Sequence, residues 1–320
     1  MATFIEKSSR QMSQYIDATS VYTALEEAAK AATAFKGSMF WREIKGHQYM
    51  IKILPSGEQR SLGVMTDENR NMPKLFMEKK KTAEERVASL KNELKIHQKM
   101  NRALGVGRVP AIAVDAINAI RDAGLSEHFT VIGTYALYAY ESAAGVLFPS
   151  DALATQDIDL LFDTRKRLKF LTQMETLDSS LLTVLQKADK TFKLREDQRY
   201  TAVNDKGFEV DVVRRMAIEG DQHPMRMTAD EDDFWAVQIS QGSKILGSKP
   251  FKQIVVASTG SMAVIKTIHP LDFARIKQAL GTSKTRDVLK APKDLLQAKL
   301  VAELVQEYLP HLRSKQVTTS

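Results

Sequence analysis

The sequence predicts an α+β protein in which a mixed sheet flanked by helices forms the core, with a helix and hairpin module before it and a helical C-terminal region after it. Three observations carry that expectation. Between residues 109 and 260, short apolar runs alternate with segments of helical period, in the order helix, strand, helix, strand. Asn204-Asp205-Lys206-Gly207, a strong turn signal, separates two further strand-like runs. Ahead of the core, Lys45-Gly46 divides two apolar runs in the manner of a hairpin. The expected divisions are residues 1–108 for the N-terminal module, 109–260 for the core and 261–320 for the C-terminal region.

Residues 15–35 are alanine-rich and place Val21, Leu25, Ala28 and Ala32 on one helical face, with a stop near Gly37. Residues 39–44 and 47–54 are the hairpin strands, and Pro55-Ser56-Gly57 supplies a further turn. Residues 74–103 read as one long helix whose Glu78, Lys79, Lys80, Lys81, Glu84, Glu85 and Arg86 mix signs at short spacing. Such a mixture marks a solvated face, since helical charge pairs contribute only ~0.2–0.5 kcal/mol each; contact of the three lysines with a substrate is the alternative. Residues 105–110 form the boundary into the core. A helix over 111–123 carries Ile112, Ala116, Ile117 and Ile120 and ends at Gly124. A strand over Phe129–Ile132 leads into Gly133, and a helix over 135–144 closes at Gly145. Residues 165–185 read as a single helix, and 191–203 and 208–214 as strands. Residues 252–257 and 262–267 pair about Thr259-Gly260. Pro270 opens a helix that runs to Leu280 with Phe273, Ile276 and Leu280 inward and Gly281 as cap, and residues 292–308 form the terminal helix.

Composition narrows the classes. Lysines and arginines number 46 against 39 acids, a net charge of +7, which favours anionic partners such as nucleotide, RNA or an acidic protein. There is no cysteine, so disulfides, thiolate catalysis and cysteine-based zinc sites are excluded. The first ten residues lack an apolar leader core, and no stretch approaches the ~20 apolar residues of a membrane span. A cytoplasmic, soluble protein without membrane partners is expected. The six histidines are scattered without a His-Glu-x-x-His pattern, and no phosphate loop of the Gly-x-x-x-x-Gly-Lys type occurs. The run Asp230-Glu231-Asp232-Asp233 reads as a helix N-terminus, where negative charge is favoured. Trp41, Trp235 and the tyrosines form no aromatic and basic ladder for single-stranded nucleic acid.

The chemistry concentrates in three short motifs. Asp157 and Asp159 lie one residue apart on a strand and so share a face, while Ile158 and Leu160 pack on the other. Asp211, on a neighbouring strand, completes a trio that repels itself unless hard divalent cations neutralise it. Gly133-Thr134 opens a helix, where free backbone N–H groups hold phosphate and the glycine permits close approach. Together these suggest metal-assisted transfer from a nucleoside triphosphate (NTP). Two Mg²⁺ ions, ~3.5–4 Å apart, with Mn²⁺ as a substitute, would be held by Asp157, Asp159 and Asp211. Asp211 is the candidate to take the proton of the attacking hydroxyl.

The order of these motifs resembles the polymerase-β-like nucleotidyltransferase superfamily: an apolar-Gly-Gly/Ser turn, an Asp-x-Asp/Glu strand and a third Asp on a later strand. Thr134 stands where that family has Gly or Ser, which keeps a hydroxyl, and the interval from Thr134 to Asp157 is longer than in minimal members. The residues 129–162, the stretch Arg108-Val109-Pro110 and the tail 270–300 further resemble the bacterial GSU2403-type nucleotidyltransferase-fold proteins. The resemblance implies a polymerase-β-like core and transfer of a nucleoside monophosphate to a hydroxyl on an RNA end, a protein or a small molecule, with release of pyrophosphate. It also implies, through related families, a toxin-like or defence role. In the family, a Pro-x-x-Phe-Ala-x-x-Lys helix follows the core, which makes Lys277 the first choice for a phosphate contact. Arg286, Lys290, Lys293 and Asp294 form a second cluster that serves triphosphate or RNA, or lies idle on the surface. A non-catalytic protein that binds nucleotide or partner through the same fold is the alternative function; retention of all three acids favours the enzyme. The preferred base, the acceptor and the oligomeric state have no signature in the sequence.

Overall fold

The computed structural model describes residues 4–230 and 232–313. Its elements open with β1 (Ile5–Glu6), α1 (Ser9–Ala32), β2 (Ser38–Ile44), β3 (His47–Ile53), β4 (Gln59–Val64) and α2 (Met72–Leu104). The chain divides into two compact units, one of residues Ser13–Leu104 and the other of Met1–Met12 with Gly105–Ser320. In the first unit, β2, β3 and β4 form an antiparallel sheet. Lys45 and Gly46 both take positive φ, the twist that a two-residue hairpin requires. The strand β4 had no counterpart in the sequence pattern, because all six of its residues are exposed and it carries no apolar alternation. In α1 the buried face consists of Tyr15, Ala18, Tyr22, Leu25 and Ala28 with Gln14, so Val21 and Ala32 lie at its margin.

The second unit continues with α3 (Ala111–Asp122), β5 (Phe129–Ile132), α4 (Ala136–Ala144), β6 (Val146–Leu147), α5 (Ser150–Leu153) and β7 (Asp157–Phe162). Then come α6 (Arg167–Leu177), α7 (Leu181–Gln186), β8 (Lys193–Leu194), β9 (Thr201–Val203), β10 (Glu209–Arg215), β11 (Met225–Arg226) and β12 (Trp235–Ile239). It closes with α8 (Gly242–Gly247), β13 (Pro250–Val256), β14 (Met262–Ile268), α9 (Pro270–Gly281) and α10 (Ala291–Glu307). The sheet is mixed, as expected: β7 pairs antiparallel with β5 and parallel with β10. The other edge of β10 is shared, with β9 antiparallel along its first residues and β12 parallel along its last. Residues 261–320, expected as a separate region, belong to the same unit as the sheet. Among the described residues no helix is long and apolar enough to cross a membrane.

Apolar side chains of both sheet faces and the flanking helices make one core. Phe162 and Phe170 meet edge-on at 5.1 Å between ring centroids, with Phe129 and His128 beside them; each such ring contributes ~1.5–3 kcal/mol by leaving water. Two expected elements are divided. The helix expected over 165–185 breaks where Asp178 takes φ +46, a left-handed C-cap, and Ser180 restarts it by accepting from the backbone N–H of Thr183. The strand expected over 191–203 survives only at its ends, as β8 and β9, because residues 195–200 loop out before the Arg195 N–H returns to the Thr201 carbonyl. The acidic run starts no helix of its own and leads into β12; Glu231 lies outside the described residues. Asp233, fully buried, instead caps α7, accepting from the N–H groups of Leu181 and Leu182 at 3.1 Å each.

Candidate active site

Parallel pairing of β7 with β10 sets Asp211 directly opposite Asp159, and Glu209 opposite Asp157. Because side chains alternate, the acids share one face while Ile158, Leu160, Val210 and Val212 are buried on the other. A carboxylate oxygen from each of Asp157, Asp159 and Asp211 lies within 4.8 Å of the others. Two of these carboxyls are held above the usual carboxylate range. Burial, reinforced by the charges of Asp157 and Asp211, pushes Asp159 up to about 7, with Lys277 and Lys290 pulling the other way. Burial also raises Asp211, against the Thr201 hydroxyl that donates to its Oδ1 at 2.6 Å. Glu209 is turned to an ion pair with Arg195 and does not join the cluster. An all-oxygen, acidic donor set of this kind fits Mg²⁺ or Mn²⁺ rather than a softer metal.

The turn after β5 brings Gly133 and Thr134, the residues expected to hold phosphate, to the same place. Ile132 is paired with Asp159, so Gly133 follows immediately beside the acid. Its φ is +65, and a Cβ built on it would fall 2.2 Å from Asp159 Oδ2. Only glycine satisfies both constraints. Residues 133–135 form a single 3₁₀ turn before α4, a tighter start than the plain helix expected. Thr134 is buried, and its hydroxyl accepts from Gln297 Nε2 at 3.2 Å, leaving the hydroxyl hydrogen free for another acceptor. Tyr135 is also buried, with its hydroxyl unpartnered among the described residues.

The cations expected to meet phosphate gather around one buried acid. Asp294, 2% exposed, accepts from Lys277 Nζ at Oδ1 and from Arg286 Nε at Oδ2, each at 2.7 Å. Lys277 is therefore half-buried and fixed rather than freely exposed. Lys290 is exposed and unpaired through its side chain among the described ion pairs, yet its charge reaches Asp159. Lys293 donates to the Ala154 carbonyl at 2.6 Å, on the approach to the acid-bearing strand.

Residues 112–320 match the nucleotidyltransferase family NTP_transf_8. The chain belongs to that nucleotidyltransferase family. The match spans Gly133, Thr134, the three acids and the Lys277–Arg286–Lys290 cluster, and leaves out the Ser13–Leu104 unit. No curated protein and no solved structure matches the chain. Membership is at the level of this nucleotidyltransferase family; the narrower GSU2403-type likeness stands on the residue resemblance alone. The holding residues Thr201, Asp294 and Gln297 carried no such role in the sequence. Asp294 looks there like one member of a basic cluster, and nothing local marks Thr201 or Gln297, whose partners lie 10 and 163 positions away in the chain.

Proposed function

We propose that this nucleotidyltransferase-family protein transfers a nucleoside monophosphate from an NTP to a hydroxyl acceptor. The observation that supports the reading is the convergence of Asp157, Asp159 and Asp211 on one sheet face beside the positive-φ Gly133. Mg²⁺ fits the trio; held by these carboxylates, it would neutralise the triphosphate and acidify the acceptor hydroxyl. The 133–134 turn approaches the β- and γ-phosphates through its backbone N–H groups and the Thr134 hydroxyl. Lys277 and Arg286, held in place by Asp294, and the exposed Lys290 meet the remaining phosphate charge. The acceptor oxygen attacks the α-phosphorus, the bond from the α-phosphorus to the bridging oxygen breaks, and pyrophosphate leaves with that oxygen. Asp211, whose carboxyl burial raises, takes the hydroxyl proton and passes it to solvent.

The test is incubation of the purified protein with each α-³²P-labelled NTP and Mg²⁺, in the presence of total RNA or cell lysate, alongside the Asp157→Ala/Asp159→Ala variant. Label carried by the wild type alone establishes transfer and reveals whether RNA, protein or a small molecule accepts it. Saturable NTP binding without pyrophosphate release, across all acceptors, would instead make the protein a nucleotide-binding member of the fold.

A further inference from the structure

The Ser13–Leu104 unit lies outside the matched region, and the transfer chemistry makes no use of it. It holds sixteen lysines and arginines against eleven acids, so five of the chain's seven net positive charges fall within it. They are unevenly spread along α2. Early in the helix the cations are engaged within the unit: Lys80 donates to the Gly37 carbonyl at 2.7 Å and stands 3.8 Å from Glu84, and Lys81 stands 3.9 Å from Glu85. From Arg86 onward the balance changes. Arg86, Lys91, Lys95, Lys99 and Arg102 are set against a single acid, Glu93, before the helix ends at Leu104.

Four of these five cations form a stripe. Lys91, Lys95 and Lys99 follow at intervals of four and Arg102 three later, which puts them on one side of the helix over roughly 16 Å of its axis. Glu93, two positions from both Lys91 and Lys95, falls on a different side. The inner side of the same segment is occupied: Leu94 and Asn101 are buried, and Gln14 of α1 donates from Nε2 to Asn101 Oδ1 at 2.9 Å. The four cations are exposed, and none of their side chains has a hydrogen bond or ion pair among the described residues. Helix stability does not account for them. Like charges three and four apart repel along a helix, and the helix dipole favours cations only within the last turn, which here contains Arg102 alone. Lysines at axial steps of ~6 Å instead complement a polymer of regularly spaced anions. No Phe, Tyr or Trp lies between Lys91 and Arg102 to stack on bases, so the contact such a stripe offers is to a backbone.

We propose that this face of α2 is a docking surface for RNA, which Lys91, Lys95, Lys99 and Arg102 grip by the sugar–phosphate backbone without regard to sequence. The choice of polyanion rests on the transfer reading: RNA joins a regular phosphate backbone to the terminal hydroxyls that transfer requires, whereas an acidic peptide offers carboxylates at no fixed spacing.

Fluorescence anisotropy of a labelled RNA hairpin with the full chain tests the assignment, in the Asp157→Ala/Asp159→Ala background so that binding is read without transfer. Lys91→Ala/Lys95→Ala/Lys99→Ala is expected to weaken hairpin binding about tenfold or more and to flatten the slope of log affinity against log salt by about 2 to 3, each lost phosphate contact removing ~0.7–0.9. Two hairpins of unrelated sequence should respond alike. Because the substitutions relieve like-charge pairs on an exposed face, the variant should melt no lower than its parent. Lys187→Ala/Lys190→Ala/Lys299→Ala removes the same net charge from exposed positions of the other unit and should leave hairpin affinity within about twofold. An equal loss in that control would overturn the proposal by reducing it to net charge. So would undiminished hairpin affinity in the stripe variant, or stripe-dependent capture of poly-L-glutamate with no affinity for the hairpin. Stripe-dependent hairpin binding without any label transfer by the wild-type chain would uphold the docking surface while refuting the reaction, which keeps the two failures apart.

Discussion

Replacing Gly133 by alanine separates the needs of the backbone from the needs of the acids. Gly133 has φ +65 and Gly124 has φ +75, so alanine at either position costs ~1–2 kcal/mol of left-handed strain. The difference lies in what the new methyl meets. At Gly124 nothing lies within 4 Å; at Gly133 the Cβ would sit 2.2 Å from Asp159 Oδ2. The carboxylate is the end of a side chain and can swing away, but by about 1 Å or more to regain van der Waals contact, and a misplacement of that size in a catalytic constellation costs ~10²-fold in rate. Gly133→Ala should therefore melt only a few degrees below wild type, as Gly124→Ala should, while losing ~10²-fold in NTP-dependent pyrophosphate release and weakening Mn²⁺ in a calorimetric titration. Gly124→Ala should keep both. Wild-type turnover and Mn²⁺ affinity in Gly133→Ala, or an equal loss in Gly124→Ala, would refute the claim that the glycine exists to admit Asp159.

Three further outcomes are expected from the geometry. The carboxyl of Asp159, raised from 3.8 to about 7, holds its proton more tightly in the folded chain than in the unfolded one. Its contribution to stability is thus fully present below pH ~4 and lost as pH rises through ~7, at most ~4 kcal/mol in all; the urea midpoint without metal should fall over that window, Mg²⁺ should restore it at neutral pH, and Asp159→Asn should flatten both responses. Asp294→Asn removes the shared partner of two partly buried cations and should cost ~3–5 kcal/mol in urea unfolding, with the KM for NTP rising more than kcat falls; an unchanged KM would detach Lys277 and Arg286 from the substrate. Asp233→Ala strips the start of α7 of its buried cap and of the Thr228 hydroxyl bond, and should lower stability by ~1–3 kcal/mol with transfer per folded molecule unchanged, as active-site titration would report.

The features legible in the sequence and those hidden in it divide by the range of the forces. Gly133, Gly145 and the Asn204–Gly207 turn announce themselves because positive φ restricts the residue at that very position. Asp157 and Asp159 share a face by strand geometry alone, so their pairing is legible without knowledge of any partner strand. That Asp211 falls opposite Asp159 depends on the register between β7 and β10, and only the order of the motifs hints at it. The two-residue β11 and the exposed β4 bury too little to leave a periodic trace. The break at Asp178 escapes the sequence pattern because an Asp in the left-handed region is compatible with a helical reading until Ser180 is seen to cap α7.

The helix α10 shows why the holding residues are the hardest to read. Asp294 and Gln297 are three positions apart and lie on one face of it. Asp294 fixes Lys277 and Arg286, whereas Gln297 gives its amide to the Thr134 hydroxyl and, at 2.7 Å, to the Ala152 carbonyl that precedes the acid strand. One helical face therefore holds both the Lys277–Arg286 pair and the Gly133-Thr134 turn. On a helix of mixed polarity each of these side chains passes for a solvated one, since a polar residue carries no local mark of burial. Its meaning resides in partners brought together by the fold, because a buried acid and a buried amide on one helical turn are satisfied only by the distant groups that they position.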